Sequence, residues 1–304
     1  MNLSSVFTIL AMDSKRDQET KIVARNATSH VDIEAQPSVK SARQINCDRS
    51  HRNYDVCSFN GPTVFEPTES TFFLMGITDE GQEPILEEKV RPYPRKWDNF
   101  TMAQIKEVTL TSGPLSPPCL IHHNAPALVF SAGGYTDNFA YDFNDVFIPL
   151  FITVNSIFPS QEFIVAIFNS HDWWMSNYKD LLRSFTQHPI INLDKESVPH
   201  CFPSATVGLI SHGFMTIDPK LMPSPKNFKQ FRALLKSTYS PNGTSISKPP
   251  TRPRLVLMSN GGCSGGGGCV ILNQAEVVLV AEEVGFKVIV FEPTSSTPLR
   301  ESYN

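Results

Sequence analysis

Long apolar runs are missing from this chain. No stretch reaches the ~18 apolar residues that a membrane-crossing helix needs. The opening apolar segment, Val6 to Met12, has neither the basic start nor the small-residue cleavage site of a secretory leader. The expectation is therefore a chain with no anchor or signal of its own. A basic excess is missing too. Lys and Arg number 26 against 30 Asp and Glu, a formal net charge of −4, and no basic patch runs along the chain. A nucleic-acid partner is thus not expected. Several catalytic signatures are absent as well. Without a GxSxG elbow a serine hydrolase is not expected. Without GxGxxG or a Walker A lysine the common nucleotide loops are not expected. Aromatic residues are missing between Phe7 and about residue 45, and that stretch is polar. It cannot bury enough surface to order itself, so residues 1–45 read as a disordered stem or tail.

What remains is the composition of a globular protein. Apolar residues make up 40% of the 304 positions, enough for one large domain or two. The 24 prolines favour many turns over long helical bundles. Short β-like runs occupy 71–76 and 108–113. From Ala127 the pattern alternates. The segments 127–132, 162–168, 189–193 and 205–210 read as strands. Apolar residues at 139, 143, 146, 147, 150, 151 and 154 predict a helix from near Asn138. A second helix spans 172–185, with Asp172 as N-cap. A third follows Ser224 as N-cap and Pro225 at the first helical position. Beyond a Pro-rich linker, Leu255 to Pro293 reads as strand, glycine loop, helix and strand, with Asn273 as N-cap and Glu276 three residues later. The expected fold class is α/β. The segments are a tail over 1–45, an N-terminal domain over 46–248 and a partial second domain over 249–304.

Five groups of residues could carry chemistry. On an α-helix, Asn138, Tyr141, Asp142 and Asp145 share one face opposite Phe143 and Phe147. Such carboxylates are either general bases and sugar-hydroxyl ligands, or first-turn acids that face water and complement the helix dipole. The loop from Ser259 to Cys269 precedes a helix N-terminus, where phosphate binds, but a glycine run this long is equally a floppy connector. Ser211 and His212 are sequence neighbours, which do not face each other as a catalytic dyad does. Cys119 with His122 and His123 resembles part of a metal site, yet no second ligand pair has suitable spacing, so no metal is expected. Trp173 and Trp174 are a sugar-stacking platform or a core anchor. Cys47 and Cys57 bracket a turn-rich segment and form either a small disulfide loop or two free thiols. Asn26, Asn99 and Asn242 open N-glycosylation sequons.

Four stretches in order, CDRSHRNYDVC, PALVFSAGGYTDNFAYDFNDVFIPLFIT, GLISHGFMTIDP and RPRLVLMS with ILNQAEVVLVAEEVGFKVIVFEP, closely resemble the plant family 61 glycosyltransferases, in particular the xylan-decorating arabinosyl- and xylosyltransferases. The resemblance runs from Cys47 to Pro293. It implies a GT-B-like fold of two Rossmann-like domains, the second incomplete here, in Golgi membrane proteins. It also implies inverting transfer of a pentose from UDP-xylose or UDP-arabinose to xylan, with no further cofactor, alongside other Golgi glycosyltransferases. Carried onto this chain, Tyr141, Asp142 and Asp145 would be catalytic. Asn138, Ser211 and His212 would bind substrate, and Ser259 and Asn273 would lie at the donor phosphates. Three departures stand out. Tyr141 occupies a position where the family pattern has His, and a phenol is a poor base at neutral pH. No arginine lies between Arg254 and Arg300. The family pattern also extends beyond this end. The alternative expectation is accordingly a truncated, non-catalytic paralogue that binds sugar or partner transferases.

Overall fold

The computed structural model describes residues 44–75, 85–113, 116–136, 138–239, 252–258 and 271–291. In chain order the strands are β1 (Gln44–Asp48), β2 (Val56–Asn60), β3 (Thr63–Glu66), β4 (Thr71–Leu74), β5 (Glu87–Val90), β6 (Val108–Thr111), β7 (Ile121–His122), β8 (Ala127–Ser131), β9 (Ile164–Phe168), β10 (Ile191–Asn192), β11 (His200–Phe202), β12 (Ala205–Val207), β13 (Arg254–Met258) and β14 (Lys287–Phe291). The helices are α1 (Asn99–Met102), α2 (Phe139–Tyr141), α3 (Ile148–Ile157), α4 (Asp172–Arg183), α5 (Phe228–Tyr239) and α6 (Gln274–Glu283). No helix among the described residues is long and apolar enough to cross a membrane.

The central sheet has the order β1-β2-β12-β8-β9-β10. Its last four strands are mutually parallel, while β1 and β2 complete the edge antiparallel. Every residue of β8 and β9 is buried. The reason is that both faces are covered, which is why these strands read as unbroken apolar runs rather than alternating ones. The alternation reappears in the packing. Leu128, Phe130, Val165 and Ile167 face the helices, with Phe147, Leu150, Trp174, Leu181 and Phe231. Ala127, Val129, Ile164, Ala166 and Phe168 face the other way, with Phe59, Phe65, Phe72 and Leu110.

That second face differs from a Rossmann-like expectation. A second mixed sheet, β5-β6-β4-β3-β11-β7, covers it instead of helices. Five of its six strands come from the short runs ahead of Ala127, and β11 joins them from His200–Phe202. Four-residue strands such as Thr71–Leu74 present their alternate aromatics to a neighbouring sheet more readily than they could form a helix of three turns. Residues 254–291 carry their own parallel pair, β13 and β14, joined through α6. The apolar positions Val256, Leu279, Val280, Val284 and Val290 stay exposed there, because among the described residues no second layer packs over this strand-helix-strand unit.

Two helix starts differ from expectation. α4 opens on His171 as N-cap, and Asp172 is its first residue, paired with Lys195. α5 opens after Asn227, whose Oδ1 accepts the Lys229 N–H, three residues later than a Ser224 cap would place it. Asn273 precedes α6 as expected, but its side chain turns to Glu276 instead of capping the backbone.

Two disulfides brace the sheets. Cys47 and Cys57 face each other across the β1–β2 ladder and are bonded. Closing so short a loop contributes roughly 2–3 kcal/mol. Cys119 is bonded to Cys201 over a separation of 82 residues and anchors the segment leading into β7 to β11.

Gly208 ends β12 at φ +111°, and a Cβ there would stand 2.2 Å from the carbonyl oxygen of Asp55. Gly213 has φ +123° with its nearest neighbour at 4.0 Å. Gly213→Ala is expected to cost about 1–2 kcal/mol, for the backbone alone. Gly208→Ala adds a backbone clash and is expected to cost on the order of 3 kcal/mol or more. Denaturant midpoints of the two variants measure the difference, and equal losses would contradict the close approach.

Candidate functional site

The parallel strands β12, β8, β9 and β10 bring their carboxyl ends to one edge of the sheet, where ligands bind in open α/β folds. Short polar bonds knit that edge. Ser131 donates its hydroxyl to Asn169 Oδ1 at 2.9 Å and accepts the Gly133 N–H at 3.1 Å. The Asn169 N–H donates to Asp194, which also pairs with Lys106. Gly134 then turns the chain at φ +72°, and a Cβ there would lie 2.8 Å from the Tyr93 ring. Both the turn and the ring require glycine at that point.

Beyond the turn Asn138 caps the helix, its Oδ1 accepting the Ala140 N–H at 3.0 Å. The helix does not continue in the expected α-helical register. Asp142–Phe147 form a π-helical turn between α2 and α3. A wider turn changes which residues share a face. Asp142 and Asp145, expected side by side on a polar stripe, point to different partners and are both sealed from water, at 2% and 1% exposure.

Asp142 faces α4. Trp174 Nε1 donates to its Oδ1 at 2.8 Å and the Tyr178 hydroxyl to its Oδ2 at 2.7 Å. Burial and the neighbouring carboxylate push the Tyr178 phenol upward, so it remains a donor. Trp174 also stacks on Phe147 at 5.7 Å and is a core anchor, whereas Trp173 is 42% exposed. Asp145 faces the loop after β5. The Tyr93 hydroxyl and Arg95 Nε donate to its Oδ2 at 2.6 and 2.9 Å, and Asn144 Nδ2 donates to its Oδ1 at 2.6 Å. Burial pushes the Asp145 carboxyl up, against the pull of Arg95, Tyr93 and Asn144. On Arg95 burial likewise opposes the charge, but Asp145 outweighs it and raises the guanidinium. With three donors converging on the carboxylate, the ion pair is the state at neutral pH. Asn144 Oδ1 in turn accepts the Met215 N–H at 2.6 Å and draws in the loop after β12.

Tyr141 stays half-exposed. Its ring stacks on Tyr135 at 4.9 Å, and Arg95 lies 4.8 Å from each of the two ring centres. Tyr93, Arg95 and Tyr135 were not singled out from sequence. The segment RPYPRKW (91–97), with two prolines among arginines and aromatics, was the signal that could have found two of them.

On the loop after β12, Ser211 is buried and accepts the Gly213 N–H at 3.3 Å. His212 Nδ1 accepts the Asp218 N–H at 2.9 Å, which leaves the proton on Nε2. That Nε2 is buried with no partner among the described residues. Burial lowers the His212 pKa, against the pull of Asp218. Ser259 and the glycine loop that follows it lie outside the described residues, as do Asn26 and Asn242. Asn99 is exposed at the start of α1, and the Thr101 hydroxyl of its sequon donates to Asp98.

Another polar cluster sits on the second sheet. His200 Nε2 pairs with the Glu196 carboxylate at 3.0 Å, and His200 Nδ1 with His123 Nε2, also at 3.0 Å. Ligand atoms of Cys119, His122 and Cys201 lie within 4.8 Å of one another. The disulfide between the two cysteines leaves no thiolate for a metal.

Relatives cover nearly the whole chain. It is 31% identical to a xylan glycosyltransferase of Arabidopsis thaliana over 91% of its length and 59% of the relative's. It is 30% identical to an α-1,3-arabinosyltransferase of Oryza sativa subsp. japonica, over 91% of this chain and 47% of that protein. A β-1,2-xylosyltransferase of the same plant is also 30% identical, over 95% and 53%. The chain therefore spans about half the length of the curated relatives it matches. No protein-family profile matches it.

Two measurements check this geometry. Asp142→Ala strands two buried donors and is expected to cost on the order of 3 kcal/mol, with a shift in Trp174 fluorescence. Asp142→Asn keeps an acceptor and is expected to cost less, so two wild-type midpoints would remove the anchoring role. His123 titrates below its ordinary value of 6.5, first through burial and then through His200, His188 and His122. A depressed folded-state pKa adds stability above about pH 6.5 that is lost as pH falls below it. His212 acts in the same sense. The Tm is expected to fall from pH 7 to 5, less steeply in His123→Asn, and parallel profiles would contradict the assignment.

Proposed function

We propose, for a chain that belongs to the plant family 61 glycosyltransferases, that it transfers a pentose from a UDP sugar to xylan with inversion at the anomeric carbon. The sugar is xylose or arabinose, the place is the Golgi, and the framework is of the GT-B kind, with a second sheet in place of the helices on one face of the first lobe. The reading is supported by likeness to relatives named for xylan, arabinosyl and xylosyl transfer. One observation carries it to this chain's own residues. At the carboxyl edge of the parallel strands, the buried Asp145 holds Arg95 in place beside a half-exposed Tyr141.

In an inverting transfer the acceptor oxygen attacks the anomeric carbon opposite the diphosphate. The bond from that carbon to the diphosphate oxygen breaks, UDP departs, and the acceptor hydroxyl loses its proton to a base. We assign to Tyr141 the contact with that hydroxyl, because its side chain stays half-exposed. Asp142 and Asp145 are positioning residues in this reading, since every carboxylate oxygen is already engaged below the surface. Asn138 sets the start of the helix that carries them. Ser211 and His212 are assigned to the substrate side by the resemblance; with Ser211 and His212 Nε2 both buried, they act in this reading by shaping the loop after β12. We assign the donor phosphates to the N-terminus of α6 after Asn273, where free backbone N–H groups would stabilise the departing charge; the resemblance gives Ser259, outside the described residues, the same role.

The test is incubation with UDP-xylose or UDP-arabinofuranose and xylo-oligosaccharides. Transfer is expected, and Tyr141→Phe is expected to lower kcat/KM for the acceptor by up to about tenfold, the size of one lost hydrogen bond. A fully active Tyr141→Phe would remove the assignment of Tyr141. No transfer with any donor, together with retained sugar binding, would leave the non-catalytic reading, which the phenol at position 141 favours.

A further inference from the structure

The guanidinium of Arg95 has a second side. Its hydrogen bonds to described side chains use Nε alone, toward Asp145. The guanidinium lies against an aromatic niche, its Cζ 4.8 Å from the ring centres of Tyr135 and Tyr141 and 5.8 Å from that of Trp97. The Arg95 side chain is 9% exposed, whereas Trp97 is 62% exposed. A nearly buried cation thus sits beside a large aromatic ring left in water. The exposed ring is not explained by packing, because an indole gains by being covered.

We infer that Arg95, Trp97, Tyr135 and Tyr141 form an acceptor subsite for a neutral pentose oligosaccharide, a xylan segment whose sugar ring lies on Trp97 while Arg95 Nη donors reach its hydroxyls. Charge selects the class of ligand. The positive charge of Arg95 is already matched by Asp145, and Asp98 stands beside it with a second negative charge. The niche is therefore negative in sum and repels a diphosphate. It still offers forked N–H donors and aromatic faces, the groups that hold vicinal hydroxyls and the C–H face of a pyranose. Xylose lacks a hydroxymethyl arm, which leaves its ring flat enough to lie on an indole. The inference rests on the transferase reading for the identity of the sugar, but its geometry stands without it.

Binding and turnover are measured separately, on protein made without N-glycans so that a glycan on Asn99 cannot cover the rings. Xylohexaose is titrated by calorimetry in the absence of donor, with UDP and inorganic phosphate as parallel ligands. Trp97→Ala is expected to weaken xylohexaose about tenfold and to raise the acceptor KM in proportion, and Trp97→Phe to restore most of both. Trp97 is exposed, so these substitutions spare the core. Trp173→Ala, at the other exposed tryptophan, is expected to bind normally. Unchanged xylohexaose affinity in Trp97→Ala overturns the subsite, as does loss in Trp173→Ala alone, or UDP or phosphate responding to Trp97→Ala while xylohexaose does not. Transfer with an unaltered acceptor KM in Trp97→Ala removes the subsite and keeps the transferase. Xylohexaose binding through Trp97 without transfer removes the transferase and keeps the subsite.

Discussion

A carboxylate shut away from water must be surrounded by donors, and the donors that Asp145 collects decide the shape of the candidate site. Tyr93 and Arg95 come from a loop some 50 residues upstream. Asn144 comes from the same turn and reaches onward to the loop after β12. Losing any one donor would leave a buried charge short of a partner, a cost of several kcal/mol in a low-dielectric interior. Three segments distant in sequence are therefore held to one arrangement by a single side chain. Arg95 ends up against Tyr135 and Tyr141 as a consequence of that bond, not of any preference of its own loop. Asp142 does the same on the opposite side, where it ties the π-turn to Trp174 and Tyr178.

The layers behind this site explain why it sits where it does. Parallel strands place all their carboxyl ends on one edge, and the connections leaving those ends converge. β8 and β9 are apolar at every position because helices press on one face and a second sheet on the other. That double cover makes the edge rigid, and polar bonds such as Ser131 to Asn169 finish it without exposing the core. Stability and site geometry therefore come from the same packing. In the proposed transfer reaction that rigidity serves to hold acceptor and donor in line, where most of the rate of such a displacement arises.

Much of this was legible along the chain and some was not. The strands at 127–132 and 162–168 and the helix at 172–185 were readable because burial and periodicity are local properties. The Cys47–Cys57 loop was one of two open readings, and the antiparallel register of β1 and β2 closes it. The fate of Asp142 and Asp145 was not readable. A 3.6-residue period puts them on one polar face, whereas the π-turn sends them to different partners indoors. The cover on the second face was also missed, since short aromatic strands do not announce which sheet they will lie against. The bonds from Cys119 to Cys201 and from His123 to His200 span 82 and 77 residues, and no spacing rule connects positions that far apart.

The order of apolar and polar residues was sufficient by itself to establish an α/β chain, its main strands and helices, and a family likeness carried by four ordered motifs. It also singled out the stretch from Asn138 to Asp145 as unusual for its mixture of acid and aromatic side chains. Tertiary structure alone decided what those acids do, because the partner of a buried charge is whichever donor the folded backbone brings within about 3 Å. Arg95, Tyr93, Trp174 and Tyr178 acquire that role only when two sheets and four helices close around the π-turn, and nothing in their own neighbourhoods specifies it.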